Sequence, residues 1–120
     1  MTKQLKDRRI VYRYKLTYST SGNYFNVPPK IVKNKYVDKD KEYEIYIVEN
    51  SPEHDILAKS KSDLQQFLKF LNNYYPFKAS IASAGSSYRI TISSFLIENK
   101  YFDPEKAKGK EFWIYFVEDI

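Results

Sequence analysis

The chain has no cysteine, one histidine, one methionine, one tryptophan and only three glycines in 120 residues. The absence of cysteine excludes disulfides and thiolate zinc sites, and leaves the redox compartment unmarked. No apolar stretch approaches membrane-spanning length. The N-terminal run MTKQLKDRR lacks the apolar core of a signal peptide, so a soluble cytoplasmic protein with no membrane contact is expected. No Ser–His–Asp arrangement, phosphate-binding P-loop or dinucleotide fingerprint occurs. The single histidine, His54, sits between Glu53 and Asp55 and reads as an exposed loop residue. Asp38, Asp40, Glu42, Glu44 and Glu49 fall partly on calcium-loop spacing, but Tyr43 holds the place of the tight-turn glycine and half the run reads as strand. The hairpin-like Gly85-Ser86-Ser87 reads as a turn rather than a phosphate cradle. The chain is therefore expected to be no enzyme and to carry no cofactor or metal.

What is present is apolar and aromatic: 42% of residues are hydrophobic and 18% are Phe, Trp or Tyr. That is ample for a packed core and argues against disorder. The abundance of Lys, Tyr and Ile also suits a thermophile or its virus. The formal net charge is +5, and the excess is local. Residues 1–15 hold Lys3, Lys6, Arg8, Arg9, Arg13 and Lys15 against Asp7 alone, while each later segment balances its charges. A basic N-terminal arm before a neutral body points to a polyanionic partner.

The chain also repeats itself. Gly22 answers Gly85; Asn34-Lys35-Tyr36-Val37-Asp38 answers Asn99-Lys100-Tyr101-Phe102-Asp103; and the run Glu42–Glu49 answers Glu111–Glu118. Offsets of 63, 65 and 69 residues imply two short insertions in the second copy, which fit in turns. Two units of about forty residues are each too small to hold a core alone, so they should share one. One domain over 1–120 is expected, with a basic arm at 1–11, a first copy at 12–50, a linker with a helix at 51–76 and a second copy at 77–120.

Within each copy the pattern reads strand, turn, strand, short helix, strand. Tyr12, Tyr14, Leu16 and Tyr18 alternate with Arg13, Lys15 and Thr17, which sets Arg13 and Lys15 on the face predicted to be exposed. Tyr24–Val27 is a second strand, stopped by Pro28-Pro29, with a short helix over 30–35. Glu42–Glu49 is a third strand. In the second copy Phe77, Ala79 and Ile81 alternate with polar residues, then Tyr88, Ile90 and Ile92 with Arg89 and Thr91. A short helix over 93–99, a loop over 103–110 and the strand Glu111–Glu118 complete it. Between the copies Ser62 and Gln65 form a capping box for a helix with the stripe Leu64, Phe67, Leu68 and Leu71. Most tyrosines fall on core faces, with Tyr24 the best exposed exception and a candidate to stack on bases.

The matching residues Gly22-Asn23, Val27-Pro28, Ile31-Val32, Val37 and Ile45-Tyr46-Ile47 resemble the AbrB/MazE-like swapped-hairpin family of DNA-binding proteins. The second copy's Ala84-Gly85-Ser86-Ser87-Tyr88 followed by Ile90-Thr91-Ile92 resembles the family's archaeal members. The resemblance covers most of 12–50 and 77–118. It implies a mainly β, β-rich α+β fold in which two intertwined swapped-hairpin units surround a pseudo-twofold axis, joined here by one α-helix. It implies a double-stranded DNA-binding protein, a small transcriptional regulator, in which one chain supplies both halves of the usual dimer; a monomeric pseudo-dimer or a homodimer of such chains fits. By position it places DNA contacts on Lys15 and Lys78 of the first strands, on Asn23 after the turn glycine and on Lys33 of the short helix, beside Lys30. Arg8, Arg9 and Arg13 of the arm and first strand, Tyr24, and Arg89 of the second copy complete the expected set. The departures are Ser93 for Pro28, Glu98 for Lys33, and Lys35-Tyr36 where the family has Leu-Gly. The near-neutral second copy and the aromatic richness favour an alternative: a protein-interaction module, antitoxin-like or virus-encoded, using the same fold without specific DNA binding.

Overall fold

The computed structural model describes residues 8–52, 54 and 64–119. It is mainly β, with seven strands among those residues in two antiparallel sheets. Strands β1 (Arg8–Thr17), β2 (Tyr24–Val27) and β3 (Glu42–Glu49) belong to the first copy, with helix α1 (Pro29–Lys33) between the last two. Helix α2 (Leu64–Leu71) leads into β4 (Phe77–Ser80), β5 (Ala82–Ala84), β6 (Ser87–Thr91), α3 (Ser94–Glu98), α4 (Pro104–Ala107) and β7 (Glu111–Asp119). The larger sheet has the order β1-β7-β3-β4 and the smaller β2-β6-β5.

This order is the topology of two interlocked copies. The first strand of each copy pairs with the last strand of the other, β1 with β7 and β4 with β3. The register agrees residue by residue: Tyr14↔Ile114, Lys15↔Trp113, Leu16↔Phe112 and Thr17↔Glu111 correspond to Phe77↔Ile45, Lys78↔Glu44, Ala79↔Tyr43 and Ser80↔Glu42. The two remaining pairings are each centred on equivalent residues. Tyr46 faces Tyr115 where β3 meets β7, and Phe25 faces Ile90 where β2 meets β6. Exchanging the copies leaves these four pairings unchanged, so a pseudo-twofold axis runs through both sheets; β5 breaks the symmetry, since the first copy has only the single bridge Tyr18↔Phe25 in its place. Neither copy can complete a sheet alone, which is why the chain carries two.

The core follows from the alternation. One face of the larger sheet (Leu16, Tyr43, Ile45, Phe77, Ile114, Phe116) packs with Phe25, Val27 and Ile90 of the smaller sheet, and Ile31 and Leu96 of the short helices join it. Tyr18, wholly buried, meets Phe25 and Phe102 edge-on at 5.2 and 5.1 Å, a geometry that suits the ring quadrupole. The opposite face of the larger sheet is also covered. There Tyr46, Val48, Tyr115 and Val117 meet Phe67 and Leu71 of α2. Phe67, Leu68 and Leu71 are buried as the stripe predicts; Ser62 and the side chains of Leu64 and Gln65 lie outside the described residues. No helix among the described residues is long and apolar enough to cross a membrane.

Local chemistry repeats with the copies. Both short helices end in a Schellman motif: Tyr36 N–H donates to Ile31 O and Lys35 N–H to Val32 O, as Tyr101 N–H does to Leu96 O and Lys100 N–H to Ile97 O. The left-handed position falls on Lys35 (φ 60°) and Lys100 (φ 62°), where glycine is usual. Their starts differ. Pro29 opens α1, whereas Ser93 caps α3, its hydroxyl accepting from Phe95 N–H at 3.3 Å.

Four expectations need correction. The arm does not extend to residue 11: β1 begins at Arg8, its described part being a sheet strand with a bulge between Ile10 and Tyr12. The second copy's first strand breaks at Ile81, and β5 passes into the smaller sheet. The 103–110 segment is not a plain loop, because Asp103 caps a helical turn opened by Pro104. His54 is not exposed: it is wholly buried against Trp113 and Phe70, with Nε2 2.5 Å from the Tyr115 hydroxyl.

Candidate nucleic-acid interface

The basic residues of β1 divide by face. Arg8 is buried and paired with Glu44 and the Tyr46 hydroxyl, while Tyr46 also donates to Glu44 at 2.7 Å. Arg9 is exposed but pairs with Glu118, which Lys41 also holds. Lys41 first, then Arg9, keep the Glu118 carboxyl below the usual carboxylate range against the opposing effect of burial. Arg13 and Lys15 do alternate with Tyr12 and Tyr14, but the face they share is the one α2 covers. The Arg13 guanidinium lies 4.3 Å over the Phe67 ring and 5.8 Å from Trp113, and Lys15 Nζ sits 5.2 Å from Trp113. Of the four basic groups expected to lead on DNA, Arg8, Arg13 and Lys15 are thus drawn into the fold, while Arg9 stays exposed in its ion pair. Lys78 stands exposed opposite Glu44, in a cleft shared with Lys41 and Glu118, away from the short helices.

The remaining candidates gather elsewhere. On the outer face of the smaller sheet, Arg89 of the central strand β6 stands beside Asn26 of β2 and Ala82 of β5. Its guanidinium lies 4.3 Å over the Tyr24 ring, so Tyr24 is half-buried rather than free. Arg89 Nε is buried without a hydrogen-bond partner. Gly22 allows this arrangement, because a Cβ there would meet the Tyr24 ring at 2.7 Å. Asn23 is exposed and accepts from the Tyr18 hydroxyl at 2.8 Å.

Helix α1 adds the lysines. Lys30, Lys33 and Lys35 are exposed and form no ion pair among the described residues. Lys30 Nζ lies 5.5 Å from the Tyr14 ring, whose hydroxyl raises the ammonium's pKa. Lys33 and Lys35 line a cleft of about 430 Å³ with Lys39, Asp38, Asp40 and Tyr88 of β6. The helix and the smaller sheet therefore adjoin. The lysines of the helix, and separately the guanidinium and amide groups on the outer face of the smaller sheet, are groups suited to phosphate oxygens.

The copies are not equal here. Lys30, Lys33, Lys35 and Asp38 correspond to Phe95, Glu98, Lys100 and Asp103, so a local net charge of +2 becomes −1. Sequence reasoning missed Lys35 and Asn26, and also an aromatic pair. Tyr36, half exposed, stacks on Tyr12 at 4.9 Å, and the equivalent Tyr101 stacks on Tyr75 at 4.1 Å. The repeat offsets of 63 and 65 residues carried that signal, since they align Tyr12 with Tyr75 and Tyr36 with Tyr101. Among the described residues no group of three or more His, Cys, Asp or Glu side chains is arranged to hold a metal. Comparison with protein-family models, with curated proteins and with solved structures returns no match.

Proposed function

We propose that the chain is a non-enzymatic double-stranded DNA-binding protein, a small transcriptional regulator, that holds DNA with its first copy. The observation that carries this reading is the trio Lys30, Lys33 and Lys35, exposed and without an ion pair among the described residues, on one short helix and the turn that ends it. Lys33 and Lys35 have neither a carboxylate nor a ring against them among the described residues, and Lys30, although it lies by the Tyr14 ring, has no carboxylate, which leaves their charge to a partner outside the fold. Phosphate oxygens supply it, at the spacing of one turn of helix. The interlocked topology is compatible with this role but does not argue for it by itself, because a fold hosts many functions. Arg89 offers a planar fork of donors, and Asn23 and Asn26 offer amides that both donate and accept.

Fluorescence anisotropy of a labelled duplex over a salt titration tests the reading. Each phosphate neutralised contributes roughly 0.9 to the slope of log K against log salt. Replacing Lys30, Lys33 and Lys35 together by Ala is expected to weaken binding to specific and random duplex alike and to flatten that slope by roughly two to three units. No duplex binding by the wild type at low salt would discard the proposal in favour of a protein-interaction module.

A further inference from the structure

Three of the four large hydrophobic side chains that stand exposed among the described residues form one cluster. Tyr75, Phe95 and Tyr101 are 53%, 49% and 52% exposed. The Tyr75 and Tyr101 rings stack at 4.1 Å and 13°, and Phe95 lies 6.0 and 6.1 Å from them. The equivalent place in the first copy keeps the tyrosine pair but sets Lys30 where Phe95 stands. One copy has therefore exchanged a cation for a ring, and its helix has exchanged Lys33 for Glu98. Glu98 lies one turn beyond Phe95 on the same side of α3, exposed and without an ion pair among the described residues.

Area and charge together select the occupant. Aromatic side chains half exposed offer roughly 100 Å² each, so the three give about 300 Å². A stable dimer needs about 800 Å² from each partner, which makes a second copy of the chain too large a claim for this patch. A short segment of another protein fits it. The local net charge of −1, from Glu98, Lys100 and Asp103, disfavours phosphates and favours a basic ligand. The ring faces favour the same choice, because Arg and Lys are attracted to the negative face of an aromatic ring.

We propose that the Tyr75–Phe95–Tyr101 surface docks a short segment of a partner protein in which an apolar side chain stands next to an arginine or lysine. The proposal is independent of DNA binding by the first copy. The probe is a phage-displayed library of random dodecapeptides panned on the full chain, with enriched peptides synthesised and titrated by fluorescence polarisation. Enriched peptides are expected to carry an aromatic or aliphatic residue beside Arg or Lys. The double variant Phe95→Lys/Glu98→Lys should weaken them by about tenfold or more, as loss of a central aromatic anchor does. Both positions are exposed and lysine occupies their first-copy equivalents, so the variant should fold; circular dichroism checks this, and Glu98→Gln should give a smaller loss alone. Absence of enrichment, acidic peptides, or peptides that bind the variant equally would overturn the proposal. So would a concentration-dependent dimer in sedimentation that Phe95→Lys disperses, since the surface would then belong to a second copy.

Discussion

Arg13 separates the structural from the functional use of charge in this protein. Its guanidinium lies between α2 and the larger sheet, 4.3 Å over Phe67, with Nη1 3.4 Å from the Tyr115 hydroxyl. A partly desolvated cation–π contact is worth about 0.5–2 kcal/mol. The aliphatic stem adds about 0.8 kcal/mol for each methylene kept from water. Arg13→Ala is therefore expected to cost about 1.5–3 kcal/mol, read as a lower urea midpoint at unchanged m-value. Arg13→Met, which keeps a stem and loses the charge, should recover part of that loss. Arg13→Lys should recover less than its retained charge would suggest, because an ammonium lacks the planar group that lies flat on a ring. None of the three should alter the salt slope of duplex binding. If Arg13→Ala changed stability by less than about 0.5 kcal/mol, as at ordinary surface sites, while flattening the salt slope, the placement of Arg13 under the helix would be refuted.

Leu68→Ala in the buried stripe of α2 is expected to cost about 2–5 kcal/mol in chemical denaturation. Lys100→Gly should stabilise the chain by up to about 1 kcal/mol in thermal unfolding, since it relieves a left-handed side chain while adding freedom to the unfolded state. The Glu118 carboxyl is held below its ordinary 4.5 by Lys41 and Arg9, so its contribution to stability is complete above that pH and fades as pH falls through the lowered value. The stability gap between wild type and Glu118→Gln, measured by urea denaturation from neutral to acid pH, should therefore close on acidification; a gap that persists in strong acid would mean that the ion pairs do not cause it.

The repeat made the architecture legible, because it told which strands are equivalent and that neither unit could bury its own faces. The alternation in β1 was also read correctly, Tyr12, Tyr14 and Leu16 against Arg13 and Lys15. What alternation does not carry is whether the polar face meets water. A strand with cations on one face looks half exposed, yet an amphipathic helix can cover that face when long stems lie on its rings, as Arg13 does on Phe67. Arg8 and Arg9 looked like a tail because their partners are remote: Arg9 meets Glu118 across 109 residues. His54, flanked by acids, looked like a loop residue, and nothing local announces the Trp113 and Tyr115 rings against it. For the candidate interface, Arg89 is legible as a basic residue on a short strand and Lys33 only by position in the family resemblance, whereas Lys35 depends on the backbone turn that the Schellman motif makes.

A duplicated chain is freed from a constraint that binds a symmetric dimer. In a homodimer every surface residue appears on both half-sites, so a twofold operator is met by identical side chains. Here the residues on the pseudo-axis must stay compatible, because Phe25 with Ile90 and Tyr46 with Tyr115 face each other through the centre of both sheets. Their volumes are set jointly, and both copies have kept large apolar or aromatic groups there. Nothing holds the outer faces of the short helices to the same rule. Lysines at 30 and 33 against Phe95 and Glu98 show how far those faces have parted while the helix ends kept the same hydrogen bonds. With the internal pairing kept and the exposed helices diverged, the two sides of the pseudo-axis present different chemistry, +2 on one and −1 on the other.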